Sequence, residues 1–131
     1  MKLLVLLICL ALPCLAQIDQ TRELAAIASV EGPPPGAAGE LTPWHILPST
    51  WADYCTLPMK TAGPELQRAV ALCILDDLEI ACWMQGVPVN PYTIALRWNA
   101  GPNRRHFEER HYRYARDVQK AYVHKLRQSP K

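Results

Sequence analysis

Glu31 is the residue best placed to do acid–base chemistry. Leu24, Ile27, Ala28 and Glu31 fall at i, i+3, i+4 and i+7, so they share one face of a helix. That face is apolar except for Glu31, which stands at its C-terminal end. A carboxylate there loses hydration, and desolvation raises its pKa. The helix C-terminus acts in the same direction, because its partial negative charge disfavours another anion. A carboxyl kept protonated near neutral pH can hand a proton to a leaving oxygen, which is the work of a general acid. Trp44 and Trp98 offer flat apolar faces suited to the rings of a ligand, whereas Trp51 and Trp83 read as core. His106 and His111, with Glu108 and Glu109, lack the i, i+4 spacing of a helical metal site. No glycine-rich phosphate loop is present, and nothing local supports Cys55 as a nucleophile. The expectation is a site without metal or cofactor.

Helices must carry these groups. The first is predicted over Thr21–Glu31, with Asp19 or Thr21 as its N-cap. The run Pro33-Pro34-Pro35-Gly36-Ala37-Ala38-Gly39 cannot be helical and separates it from the rest. A short helix follows Pro48, over Ser49–Tyr54. A long one is expected over Pro64–Met84, with Leu66, Val70, Cys73 and Leu78 on its buried side and Asp76, Asp77 and Glu79 on its wet one. Asn90-Pro91 pairs an N-cap with proline at the first helical position, and Gly101-Pro102 is a stop, so a helix of about ten residues lies between them. A last helix is predicted over Arg105–Gln128. No segment alternates as a strand does, so the class is all-α.

The chain has 131 residues and five cysteines. Met1-Lys2, the apolar run Leu3–Leu12 and the small-residue end Cys14-Leu15-Ala16 read as a secretory signal peptide, residues 1–16. The run is shorter than the roughly 18 apolar residues a membrane span needs. The remaining 17–131 segment is one domain, exported to the periplasm or the cell exterior and expected to be a monomer. It keeps three cysteines: Cys55, Cys73 and Cys82. Cys73 and Cys82 share a helix at about 13 Å of rise, beyond disulfide reach, so no essential bridge is expected. Charge is uneven: residues 103–131 hold nine Lys/Arg against three Asp/Glu, and residues 17–102 hold four against nine. A basic C-terminal tail suits an anionic polymer. Export makes cell wall a better partner than nucleic acid.

Three segments together are similar to one family. Gly39-Glu40-Leu41-Thr42-Pro43-Trp44-His45-Ile46-Leu47-Pro48 looks like the stretch that follows the catalytic glutamate in lytic transglycosylases and goose-type lysozymes. Ala95-Leu96-Arg97-Trp98-Asn99-Ala100-Gly101-Pro102 resembles their Ala-Leu-x-x-Tyr-Asn-Ala-Gly-Pro. Tyr114-Ala115-Arg116-Asp117-Val118-Gln119-Lys120-Ala121-Tyr122 resembles their closing helix, Tyr-x-x-x-Val-x-x-x-Tyr. The resemblance implies a small lysozyme-like domain over 17–131 that acts on peptidoglycan glycan strands. It makes Glu31 the catalytic acid, places Tyr114 beside it, and lines a sugar groove with Asn99 and Ala100. His45 stands where glutamine is usual and is carried over as a substrate contact. Gly32 replaces the usual serine, and Thr42 the second glycine.

The expected function is therefore cleavage of β-1,4 bonds between amino sugars of peptidoglycan. Two other readings stay open. One is a glycan-binding module without turnover, which the changes at Gly32, Thr42 and His45 favour. The other is an exported helical adaptor that uses its basic last helix as a contact surface.

Overall fold

The computed structural model describes residues 18–128. The signal-peptide reading of residues 1–16 falls outside them. The fold is all-α: α1 (Gln20–Glu31), α2 (Pro48–Tyr54), a 3-10 turn (Met59–Thr61), α3 (Pro64–Met84), α4 (Pro91–Ala100) and α5 (Glu109–Gln128), with no strand among the described residues. None of these helices is long and apolar enough to cross a membrane.

Local signals set the helix ends. The Arg22 N–H donates to Asp19 Oδ1 at 3.1 Å, so Asp19 is the N-cap of α1. Gly32, at φ 78°, ends α1, and its N–H donates to the Ala28 carbonyl. A positive φ of that size suits a residue without a side chain. Asn90 and Thr93 form a reciprocal capping box at the start of α4. α5 starts at Glu109, four residues later than predicted from sequence. Residues 101–108 form a loop instead, closed where the Glu108 N–H donates to Nδ1 of the buried His111 at 2.9 Å. His111 is therefore committed to holding up a helix end.

α5 packs chiefly against α4 and α1, and α3 closes the other side of α1 and α4. The core runs through Leu24, Ile27, Leu75, Leu78, Ile94, Ala115 and Val118. Because α1 is covered on two sides, its buried set is Glu23, Leu24, Ala26 and Ile27, wider than a single amphipathic stripe. Gln20 ties α1 to α3 through Asp76 and Glu79, and the Tyr54 hydroxyl ties α2 to α3 through Asp77. Glu79, expected on the wet side, is half-buried in that contact.

Three further residues of α3 depart from expectation. Its buried stripe advances in steps of four through Val70, Ile74, Leu78 and Cys82. Cys73, three residues from Val70, slips off that stripe and is exposed, and Leu66 is only half-buried. Trp83, expected in the core, is 66 % exposed, because it stands one residue, about 100° of helix rotation, past the buried Cys82 and so faces away from the stripe. Cys55, Cys73 and Cys82 are all free thiols. Thiol titration of the 17–131 segment under denaturing, non-reducing conditions is expected to count all three, and one free thiol would reveal a bridge.

Candidate functional site

Glu31 closes the last turn of α1 and is half-buried. The Tyr114 hydroxyl, reaching across from α5, donates to Glu31 Oε1 at 2.7 Å. Nδ1 of His45 lies 3.5 Å from the other oxygen, Oε2. Burial pushes the Glu31 carboxyl above the ordinary carboxylate range. The Tyr114 hydrogen bond and the His45 ring pull it back in part, and the nearby Glu40 charge pushes it up again. Burial, and then the adjoining Glu31 carboxylate, drive the Tyr114 phenol well above its usual value, so it stays a neutral donor. The outcome is a carboxyl with a raised pKa and a fixed direction. That is what a proton donor requires.

His45 owes its position to a strained backbone. Its φ is +48°, left-handed for a residue with a side chain. The strain is held by its neighbours: the His45 N–H donates to the Thr42 carbonyl at 3.0 Å, and the Ile46 N–H donates to Thr42 Oγ1 at 3.2 Å. Thr42 is fully buried and serves the turn through both bonds. The ring aims Nδ1 at Glu31 and leaves Nε2 buried without a hydrogen-bond partner.

Glu40 joins the same corner. Its Oε2 accepts the Ala38 N–H at 2.8 Å, and the Gly36 N–H donates to its backbone carbonyl, also at 2.8 Å. A Cβ on Gly36 would run into the Glu40 carboxylate and come within 3.0 Å of His45 Nδ1. A larger residue at position 36 would push the Glu40 carboxylate out of this arrangement. Nothing in the spacing of the sequence pairs Glu40 with Glu31. Its place beside Glu31 depends on how the proline loop folds back, which no periodicity reveals.

The other predicted residues fall into two groups. Trp44 and Trp98 are half-buried and their indole N–H groups are already used. Trp44 donates to the Leu24 carbonyl of α1 at 3.0 Å, and Trp98 to the Trp44 carbonyl at 3.3 Å. Only their ring faces remain for a ligand. Asn99 is exposed at the end of α4 with no side-chain partner among the described residues, and Ala100 is half-buried as its last residue. Gly101, at φ 103°, turns the chain there, its N–H donating to the Arg97 carbonyl at 2.8 Å. Among the described residues no cluster of three or more His, Cys, Asp or Glu is arranged to hold a metal ion. Comparison with models of known families, with curated proteins and with solved structures gives no match for this chain, so its function has to be read from these residues.

Proposed function

We propose that this chain cleaves β-1,4 glycosidic bonds between amino sugars of peptidoglycan, with Glu31 as general acid and then general base. The observation that carries the reading is the pairing of Tyr114 with Glu31, two residues 83 apart in sequence that hydrogen-bond at 2.7 Å. It agrees with the resemblance to lysozyme-like transglycosylases. The basic C-terminal segment 103–131 and the signal-peptide-like pattern of residues 1–16 suit an anionic wall substrate.

In this mechanism protonated Glu31 gives its proton to the glycosidic oxygen, and the C1–O bond breaks. The carboxylate left behind takes the proton of the same sugar's 6-hydroxyl as that oxygen closes onto C1. Atoms balance without an added water, so the product is a 1,6-anhydro sugar. Hydrolysis instead needs a second carboxylate to activate water. Glu40 is the one close to Glu31, but it is tied back to the Ala38 N–H. Asp53 lies exposed on α2. Mass spectrometry of a peptidoglycan digest is expected to show anhydro ends, lighter by one water than hydrolytic ones. Reducing ends lost on Glu40→Gln or Asp53→Asn would make the enzyme a hydrolase. A wall left intact, though bound, would make the chain a glycan-binding module. His45 already facing Glu31 Oε2 is the observation that favours that second reading.

Tyr114→Phe is expected to lower turnover by about tenfold or more while changing stability by only about 0.5–1.5 kcal/mol. The phenol stabilises the Glu31 anion. Its loss therefore raises the Glu31 pKa further and moves the alkaline limb of the pH–rate profile to higher pH. An unmoved limb with activity within about twofold of wild type would reassign Tyr114 to packing.

A further inference from the structure

A cleft of about 940 Å³ opens between the end of α3, the flank of α4 and the 101–108 loop. Glu31, His45 and Tyr114 take no part in it. One side is apolar, with Ile80, Met84, Leu96 and Phe107. Ile80 and Met84 are 53 % and 76 % exposed, and they share a helix face with the exposed Trp83. The other side is basic, with Arg97, Arg104 and Arg105. The one acid in the wall, Asp77, already accepts the Tyr54 hydroxyl.

Arg97 is the anomaly. It is a guanidinium only 4 % exposed, and no carboxylate lies within ion-pair distance of it among the described residues. Its neighbours are neutral: Nη2 donates to Gln85 Oε1 at 2.6 Å, Nη1 donates to the Thr93 carbonyl at a long 3.4 Å, and the Phe107 ring lies 6.0 Å away. Nε is buried with no partner at all. Buried charges are ordinarily paired, because an unpaired one is costly. Nε–H and Nη2–H form one edge of the guanidinium fork, and a carboxylate takes both bonds of such an edge at once. A single amide oxygen can take one. The side chain of Gln85 is exposed and otherwise held only by its donation to the Pro102 carbonyl, so a ligand can displace it.

We propose that this cleft binds a small anionic amphiphile, with its carboxylate on the Nε/Nη2 edge of Arg97 in place of Gln85 and its apolar body along Ile80, Met84 and Phe107. Arg105 draws the anion in at the rim, where Arg104 is already paired with Glu108 at 3.5 Å. The inference is independent of the reading of Glu31.

Calorimetric titration of the chain with sodium decanoate below its micellar range tests it, with decanol and acetate as probes that each keep half of the chemistry. Decanoate is expected to saturate one site, and decanol and acetate to bind about tenfold more weakly or worse. Arg97 variants risk unfolding, so Gln85→Glu is the decisive one. It supplies the missing carboxylate from within the chain. It is expected to raise Tm and to weaken decanoate binding by about tenfold or more, while Gln85→Ala binds at least as tightly as wild type. Decanol binding as tightly as decanoate, or Gln85→Glu leaving decanoate binding unchanged, would overturn the proposal. So would a chain that ignores decanoate but self-associates through this face in sedimentation.

Discussion

Glu31→Gln is expected to reduce cleavage of peptidoglycan by at least about a hundredfold while leaving the fold and glycan binding in place. The substitution keeps the shape of the side chain and an oxygen that still accepts the Tyr114 hydroxyl. What disappears is the transferable proton. The wild-type chain should show the matching pH dependence. Burial raises the Glu31 pKa, so the acid form persists to higher pH than for an exposed glutamate, and turnover falls as pH rises through that value. Lysis by the glutamine variant at the wild-type rate would remove Glu31 from the chemistry.

Glu23→Gln is expected to change the pH dependence of stability more than any other single replacement. Glu23 is fully buried on α1, and neither of its oxygens has a hydrogen-bond partner. Burial, helped by the charge of Glu79, pushes its carboxyl up to about 8. The helix N-terminus favours an anion at this first-turn position, and desolvation outweighs that preference. The direction then follows from linkage. In the unfolded chain a glutamate ionises near 4.3, so between about pH 4.5 and 8 the folded state alone keeps the proton. Stability is full below that window, falls by up to about 1.4 kcal/mol per pH unit within it, and levels off above. Glutamine does not titrate. The variant should therefore match wild type near pH 5 and exceed it by a few kcal/mol near pH 9. Urea unfolding of both proteins at the two pH values measures this, and a difference independent of pH would show that Glu23 is already ionised in the fold.

Glu23 also shows where sequence reading stops. The stripe of Leu24, Ile27, Ala28 and Glu31 is visible because helical periodicity projects it onto one face. A one-sided helix leaves Glu23 in water. Only the packing of α3 and α5 on two sides of α1 buries it, and that is a property of the assembly. Helix ends were legible where a residue type enforces them, as at Asp19, Asn90-Pro91 and Gly101. The start of α5 was not, because Arg104, Arg105 and His106 are compatible with helix and the interruption comes from the bond between Glu108 and His111. In the candidate site, Glu31 and Tyr114 were legible as partners. Glu40 and Gly36 were not, since their meeting depends on the path of a proline loop. Arg97 stood unremarked inside a recognised segment, because nothing in a sequence distinguishes a buried arginine from a wet one.

The two indole donors have a kinetic consequence. Trp44 bonds to α1 and Trp98 bonds to Trp44, so α1, the loop and α4 are strung in series. Swinging the loop away would break both bonds, at about 0.5–1.5 kcal/mol each, and would expose two half-buried rings besides. The placement of His45 beside Glu31 is thus set before any ligand arrives. Association should then be a one-step encounter, with an observed rate that climbs linearly with ligand concentration and reaches no plateau set by a slow rearrangement.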